Sequence, residues 1–200
     1  FMTGPGTNTY LVGTQHCAVI DPGPHDVVHI ERILEAAGGR VSAILATHTH
    51  PDHSRAVAAL PQAPGAEVLG RGPPVYGRQD ATFAPTRVLN DGDVVRVGDL
   101  ALRAIHTPGH ASNHLCYLLE GAGMLFSGDH VMQGSTVVIG PPDGDMQVYL
   151  QSLARLQREP VTRIAPRHGT VIEDGQSEVA RLIALRLQRE IFQMWPEPRQ

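Results

Sequence analysis

An α+β domain is what this 200-residue sequence predicts. Three observations carry the prediction. Strand-like runs alternate with amphipathic helical ones, and neighbouring strand runs meet at Gly-rich turns, as antiparallel hairpins do. One run, "VSAILAT" (41–47), is apolar throughout, as a strand covered on both faces is.

The elements follow in order. "TYLVG" (9–13) and "HCAVID" (16–21) read as a hairpin pair, with the turn "DPGP" after it. Residues 25–37 put Val28, Ile30, Ile33, Leu34 and Ala37 near one helical face, and Gly38 and Gly39 end that helix. After 41–47, a helix is expected from near Asp52 through "SRAVAAL" to Pro61, then a short strand "AEVLG" (66–70). The stretch "RVLNDGDVVRVGDLALRAIHTPGH" carries turn signals at Asn90-Asp91-Gly92 and Gly98-Asp99 between alternating residues, so it reads as antiparallel strands. "HLCYLLEGAGMLFSGD" is a further hairpin turning at Gly121–Gly123. An amphipathic helix (145–157), a last strand in "VTRIAPRHG" and a terminal helix (177–195) complete the chain.

Composition bounds the rest. With 42% hydrophobic and 18% charged residues, residues 1–200 make one globular domain with a sizeable core. No apolar run is long enough to cross a bilayer, and the N-terminus lacks a basic-then-apolar signal. A start at Phe1 is expected of a trimmed chain, which keeps a removed leader open. The two cysteines, Cys17 and Cys116, lie in apolar runs and are expected as buried free thiols in a cytoplasmic protein. Every basic residue is arginine. The net charge of −4 argues against a general nucleic-acid surface, but from residue 150 onward arginines outnumber acids, 8 to 6.

The chemistry concentrates in "LATHTHPDHS" (45–54), directly after the apolar strand. Three other predicted strands also finish in a potential metal ligand: His110 in "TPGH", Asp129 in "SGD" and His168 in "PRHG". Ligands on loops fixed by a rigid sheet are a common way to build a site. In an extended loop His48 and His50 project to the same side and reach one cation, which His110 completes. Asp52 and His53 sit at a helix start and face a second cation, completed by His168. Imidazole suits zinc, and Asp129, from a separate strand, is placed to bridge two cations while leaving room for water.

The motif H-x-H-x-D-H at 48–53, with His110, Asp129 and His168 in their contexts, resembles the full ligand set of the metallo-β-lactamase superfamily. That resemblance implies an αββα sandwich of two mixed β-sheets flanked by helices. It also implies two Zn2+ ions, with iron or manganese as alternatives, and hydrolysis by a metal-bound hydroxide. Asp52 would then orient the nucleophile or shuttle its proton besides being a ligand. "GPGTNTYLVG", "TPGHASNH" and "SGDHVMQGSTVV" are similar to the β-lactamase-like endoribonuclease and glyoxalase II-like branches. One departure is Arg167, where glycine is usual, and it is expected as an anion contact for substrate.

The function expected is hydrolysis of an ester, thioester, amide or lactam, or phosphodiester bond. The substrate is a small molecule, with single-stranded RNA as the alternative; no membrane partner is expected and the oligomeric state stays open. The alternatives kept are an endoribonuclease-like phosphodiesterase, a β-lactam hydrolase and a mononuclear-iron sulfur dioxygenase-like enzyme. His106 reads as structural or as support for a ligand, and His114 and His130 as packed or pocket-lining. His16, His25 and His29 read as surface residues, Asn8 and Thr9 as turn-formers. Tyr76 and Trp195 receive no role.

Overall fold

The apolar run becomes β3 (Val41–Leu45), the middle strand of a five-stranded sheet, in the computed structural model, which describes residues 6–60 and 65–194, with side chains to residue 188. On one side it pairs in parallel with β2 (Cys17–Ile20), which is antiparallel to β1 (Tyr10–Val12). On the other it pairs in parallel with β4 (Glu67–Gly70), followed by β5 (Arg87–Val88). A second sheet has β6 (Val94–Val97), β7 (Leu100–His106), β8 (Leu115–Leu119) and β9 (Met124–Gly128) in antiparallel succession. Its far edge, β10 (Arg163–Pro166), runs parallel to β9. Both sheets are therefore mixed.

Strand alternation sorts side chains into three apolar layers. Ala18, Ile20, Ala43 and Leu45 point inward and meet Leu102, Ala104, Leu115, Tyr117 and Phe126 of the second sheet. Cys17, Val19 and Ile44 point outward onto Ile30, Ile33 and Ala37 of helix α1 (Val27–Ala37), joined by Val41, which lies before the register shift between β2 and β3. On the opposite outer face, Ile105, Cys116, Leu118 and Leu125 pack under α3 (Met146–Leu156) and α4 (Gly175–Met194). The result is the helix–sheet–sheet–helix sandwich, with both cysteines buried and free. Among the described residues, no helix is long and apolar enough to cross a membrane.

Four expectations need correction. Val28 is 57% exposed, because α1 turns only Ile30, Ile33 and Ala37 fully inward. The helix after Asp52 is a single turn, α2 (Pro51–Ser54), continued by a 3-10 turn at Arg55–Ala59. Arg87–Val88 joins the first sheet beside β4 and is not part of the antiparallel set. His29 is half-buried, its Nε2 2.8 Å from Thr9 Oγ1. Pro61 and Trp195 lie outside the described residues.

Strand direction decides where the loops converge. β2, β3 and β4 run the same way, as do β7, β9 and β10, so each sheet gathers its strand C-termini at one end. The two ends are stitched together by Leu115 N donating to Thr47 O (2.7 Å) and Tyr117 Oη donating to Ala46 O (2.7 Å). A Cβ on Gly128 would lie 2.5 Å from Thr47 Oγ1, so only glycine lets β9 approach β3 this closely.

Candidate metal centre

At that shared edge the structure brings together all seven histidine and aspartate ligands expected from the sequence. They fall into two groups, His48, His50 and His110, and Asp52, His53, Asp129 and His168; within each, the donor atoms lie within 4.8 Å of one another. His50 Nδ1 sits 2.8 Å from His48 Nε2 and 3.0 Å from His110 Nε2. Asp129 lies between the groups: its Oδ2 is 3.4 Å from His53 Nε2 and 3.7 Å from His110 Nε2, and its Oδ1 is 3.4 Å from His168 Nε2. Asp52 Oδ2 is 3.6 Å from His53 Nε2 and 3.7 Å from His168 Nε2.

The imidazoles are oriented from behind, which fixes which nitrogen is free. His110 Nδ1 donates to Val138 O (2.7 Å) and His168 Nδ1 to Gly6 O (3.1 Å), carbonyls that can only accept. His53 Nδ1 donates to Asp21 Oδ2 (2.9 Å). Thr47 gives its hydroxyl hydrogen to the same carboxylate (2.7 Å), so its oxygen accepts from His48 Nδ1 (3.2 Å). Each of these four rings, in its neutral form, therefore turns an Nε2 lone pair toward the centre.

Electrostatics fit the same reading. Burial drives His48 well below its ordinary value and, with His110 and His53 beside it, takes His50 down to about 4, so both rings are neutral donors. Burial also opposes charge on His53, but the carboxylates of Asp129 and Asp21 outweigh it and push that ring up to about 9. Burial would raise Asp129, yet His53, His110 and His168 hold its carboxyl well below the usual carboxylate range. An imidazolium on His53 thus does in the metal-free protein what a cation would do between these groups. His53 Nε2 and Asp129 Oδ1 are buried without a hydrogen-bond partner. Orphaned donors of this kind, beside a set of imidazoles and carboxylates, fit a divalent cation in each group.

One contributor, Asp21, was not legible beforehand, while His114 is packed as its place beside a ligand position suggested. Asp21 is 2% exposed, has a positive φ of 50° and accepts from Thr47 N (2.7 Å) as well as from Thr47 Oγ1 and His53. Its position at the end of β2 was the available signal, masked by the turn sequence that follows it. His114 is buried, stacks on His48 at 5.0 Å between ring centroids and is held by Thr107 Oγ1 at 3.0 Å from its Nδ1. His130 is buried against Tyr149 (4.7 Å), and His106 Nε2 lies 3.0 Å from Ser112 O, a structural contact. In an Asp21→Asn variant the amide donor would face the Thr47 and His53 donors and favour the other His53 tautomer. Metal affinity is expected to fall about 10- to 100-fold, measured by competition with a chromogenic chelator; unchanged affinity would remove Asp21 from the centre.

Arg167 corrects an expectation. It is 1% exposed, and its guanidinium donates to the backbone carbonyls of Asn8, Asp21 (2.8 Å) and Asp52, leaving no accessible face for a substrate anion. Asn8 is likewise a tether: its Nδ2 donates to Pro166 O (2.9 Å) and Gly169 O (2.8 Å).

A two-sheet sandwich with histidine and aspartate ligands gathered at one edge defines a class of metal-binding proteins. The chain belongs to the metallo-beta-lactamase superfamily, whose family model matches residues 2–169. It is 35% identical over 188 residues to the lactamase-like protein aptB of Emericella nidulans, covering 90% of this chain and 57% of that one. It is 33% identical over 193 residues to the atrochrysone carboxyl ACP thioesterase AgnL7 of Paecilomyces divaricatus, covering 92% and 57%. The chain thus spans less than three fifths of the length of these curated relatives. Among solved structures, TTHA1623 in a di-iron-bound form is similar with a TM-score of 0.69 and 29% identity, over 87% of this chain and 93% of that one.

Proposed function

We propose that this protein is a dinuclear-zinc hydrolase of thioesters, taking an acyl group carried on the thiol of a small cofactor or carrier protein. The observation that carries the dinuclear part is the position of Asp129, whose Oδ2 faces a histidine of each ligand group at 3.4 and 3.7 Å. The imidazole-rich first group favours zinc. Iron is the second reading for the metal, because the similar TTHA1623 structure is di-iron-bound. The thioester part is supported by the relative named an acyl-carrier thioesterase, similar over 92% of this chain. Of the arginines that kept single-stranded RNA in play, Arg155 pairs with Asp91, Arg181 with Glu178 and Arg186 with Val137 O.

When bound, divalent cations bring water's pKa toward neutrality and polarise a carbonyl. The residues supply the rest. Asp52 has a side chain 36% exposed, against 12% for Asp129 and 8% for His168, so it is the acid that meets incoming water. Its carboxylate orients that water and takes its proton as the oxygen adds to the thioester carbon. The proton then passes to the sulfur as the C–S bond breaks, giving a carboxylic acid and a free thiol. The buried histidines hold their lone pairs inward throughout and take no proton.

The test combines metal analysis of protein purified without chelators with thiol release from an acyl-N-acetylcysteamine thioester. About two zinc per chain and chelator-sensitive thiol release are expected. Two metals with no thiol release, but with turnover of a β-lactam or an RNA oligomer, would replace the thioester reading. One iron per chain with thiol-dependent oxygen uptake would replace the hydrolase.

A further inference from the structure

The two ligand groups are braced differently, and the difference centres on one side chain. His110 of the first group leans on Val138 O, and His48 on Thr47, whose hydroxyl reaches the Asp21 carboxylate, so the first group has one indirect link to the hub described next. The second group converges on Arg167. Its backbone N–H donates to Gly128 O (3.1 Å), the residue before Asp129. Its own successor in the chain is His168. Its guanidinium donates to the carbonyl of Asp52, a member of the group, and to that of Asp21, whose carboxylate orients His53. The third carbonyl, Asn8, belongs to the N-terminal segment that supplies Gly6 O to His168 Nδ1.

The surroundings are shaped for this guanidinium. A Cβ on Gly23 would sit 3.1 Å from Arg167 Nη2, so glycine there leaves the fork its room. Gly23 N in turn donates to His53 O (2.9 Å) and Gly23 O accepts from Ala56 N (2.9 Å), joining the same turn to α2. The planar fork reaches carbonyls on three separate segments at once, which a lysine ammonium on its flexible stem does not reproduce. Arg167 is only 1% exposed and Asp21 2%, so breaking the bond to Asp21 O strands a buried carbonyl without water to replace the guanidinium.

We propose that Arg167 is the positioning residue of the second ligand group, fixing the segments that present Asp52, His53 and His168, so that tight binding of the second cation depends on this hub far more than binding of the first. The inference rests on the dinuclear reading above. Charge alone predicts the opposite sign: a buried cation repels a nearby metal ion, so removing it would tighten binding. The geometric role predicts loosening, and the two are separable.

Metal-free wild type, Arg167→Met and Arg167→Lys are titrated with Co2+, followed by its visible absorption and by calorimetry. Wild type is expected to take up two equivalents. Arg167→Met is expected to bind the second at least about tenfold more weakly and the first with a clearly smaller loss, with Arg167→Lys in between. A second step in Arg167→Met that is unchanged or tighter, or two steps weakened alike, would overturn the proposal. If Arg167→Met does not fold, Arg167→Lys decides: two cations bound as in wild type would overturn it. A wild type that binds one cation fails the dinuclear reading and this inference with it, whereas two in wild type and two equally tight in both variants fails this inference alone.

Discussion

Asp129→Asn is expected to retain the fold, to lose the second cation and to lower kcat/KM for a thioester by about 10³-fold. The asparagine keeps the shape and one acceptor oxygen, so the packing around a side chain only 12% exposed survives. What it removes is the negative charge that lies between the two ligand groups, 3.4 Å from His53 and 3.7 Å from His110. A metal's electrophilic assistance is worth several kcal/mol, and losing about 4 kcal/mol of it corresponds to about three decades in rate. In the metal-free variant His53 also loses the stronger of the two carboxylates that raise it, so its imidazole holds a proton less firmly than in wild type. Metal per chain and kcat/KM, measured on the same preparation, check this. Two firmly bound cations with near wild-type turnover would show that Asp129 does not join the groups.

Much of the fold was legible because its strands obey simple periodicities. The apolar run at 41–47 belonged in the middle of a sheet, and the turns at Gly98 and Gly121–Gly123 join strands that do pair antiparallel. Arg87–Val88 escaped because two residues have no period to read, and its choice of sheet is a tertiary decision made by Leu69 and Gly70. The candidate ligands were legible for a different reason: each follows a strand, and the strands' common direction brings their ends together. Asp21 obeys the same rule but is followed by "PGP", which reads as a turn and hides its work on His53. Arg167 was misplaced because nothing local shows that a guanidinium is buried; its carbonyl partners lie 159, 146 and 115 positions away in sequence. Sequence spacing identified what chemistry could meet at the edge, and long-range packing decided which charges support it from behind.

Gly109→Ala is expected to be the most destabilising single methyl in the molecule's site region. Gly109 has φ +140°, a backbone conformation that side chains rarely adopt, and forcing a residue there costs about 1–3 kcal/mol. A Cβ would also lie 2.4 Å from Tyr149 Cα, 2.5 Å from its Cβ and 2.7 Å from its N. These are mostly backbone atoms of α3, so no rotamer change relieves the clash, and overpacking of this kind costs about 1–3 kcal/mol more. The helix cannot retreat freely, since Asp145 N donates to Gly109 O (2.8 Å) and Ser152 Oγ to Pro108 O (2.7 Å). A loss of about 3 kcal/mol in a domain of this size lowers Tm by about 6–12 °C, read by calorimetry of the metal-free protein. Because His110 is the next residue, first-group metal affinity should fall in step with stability. If Tm drops while that affinity holds, the loop carrying His110 moves independently of α3, and Val138 O is what holds His110 in place.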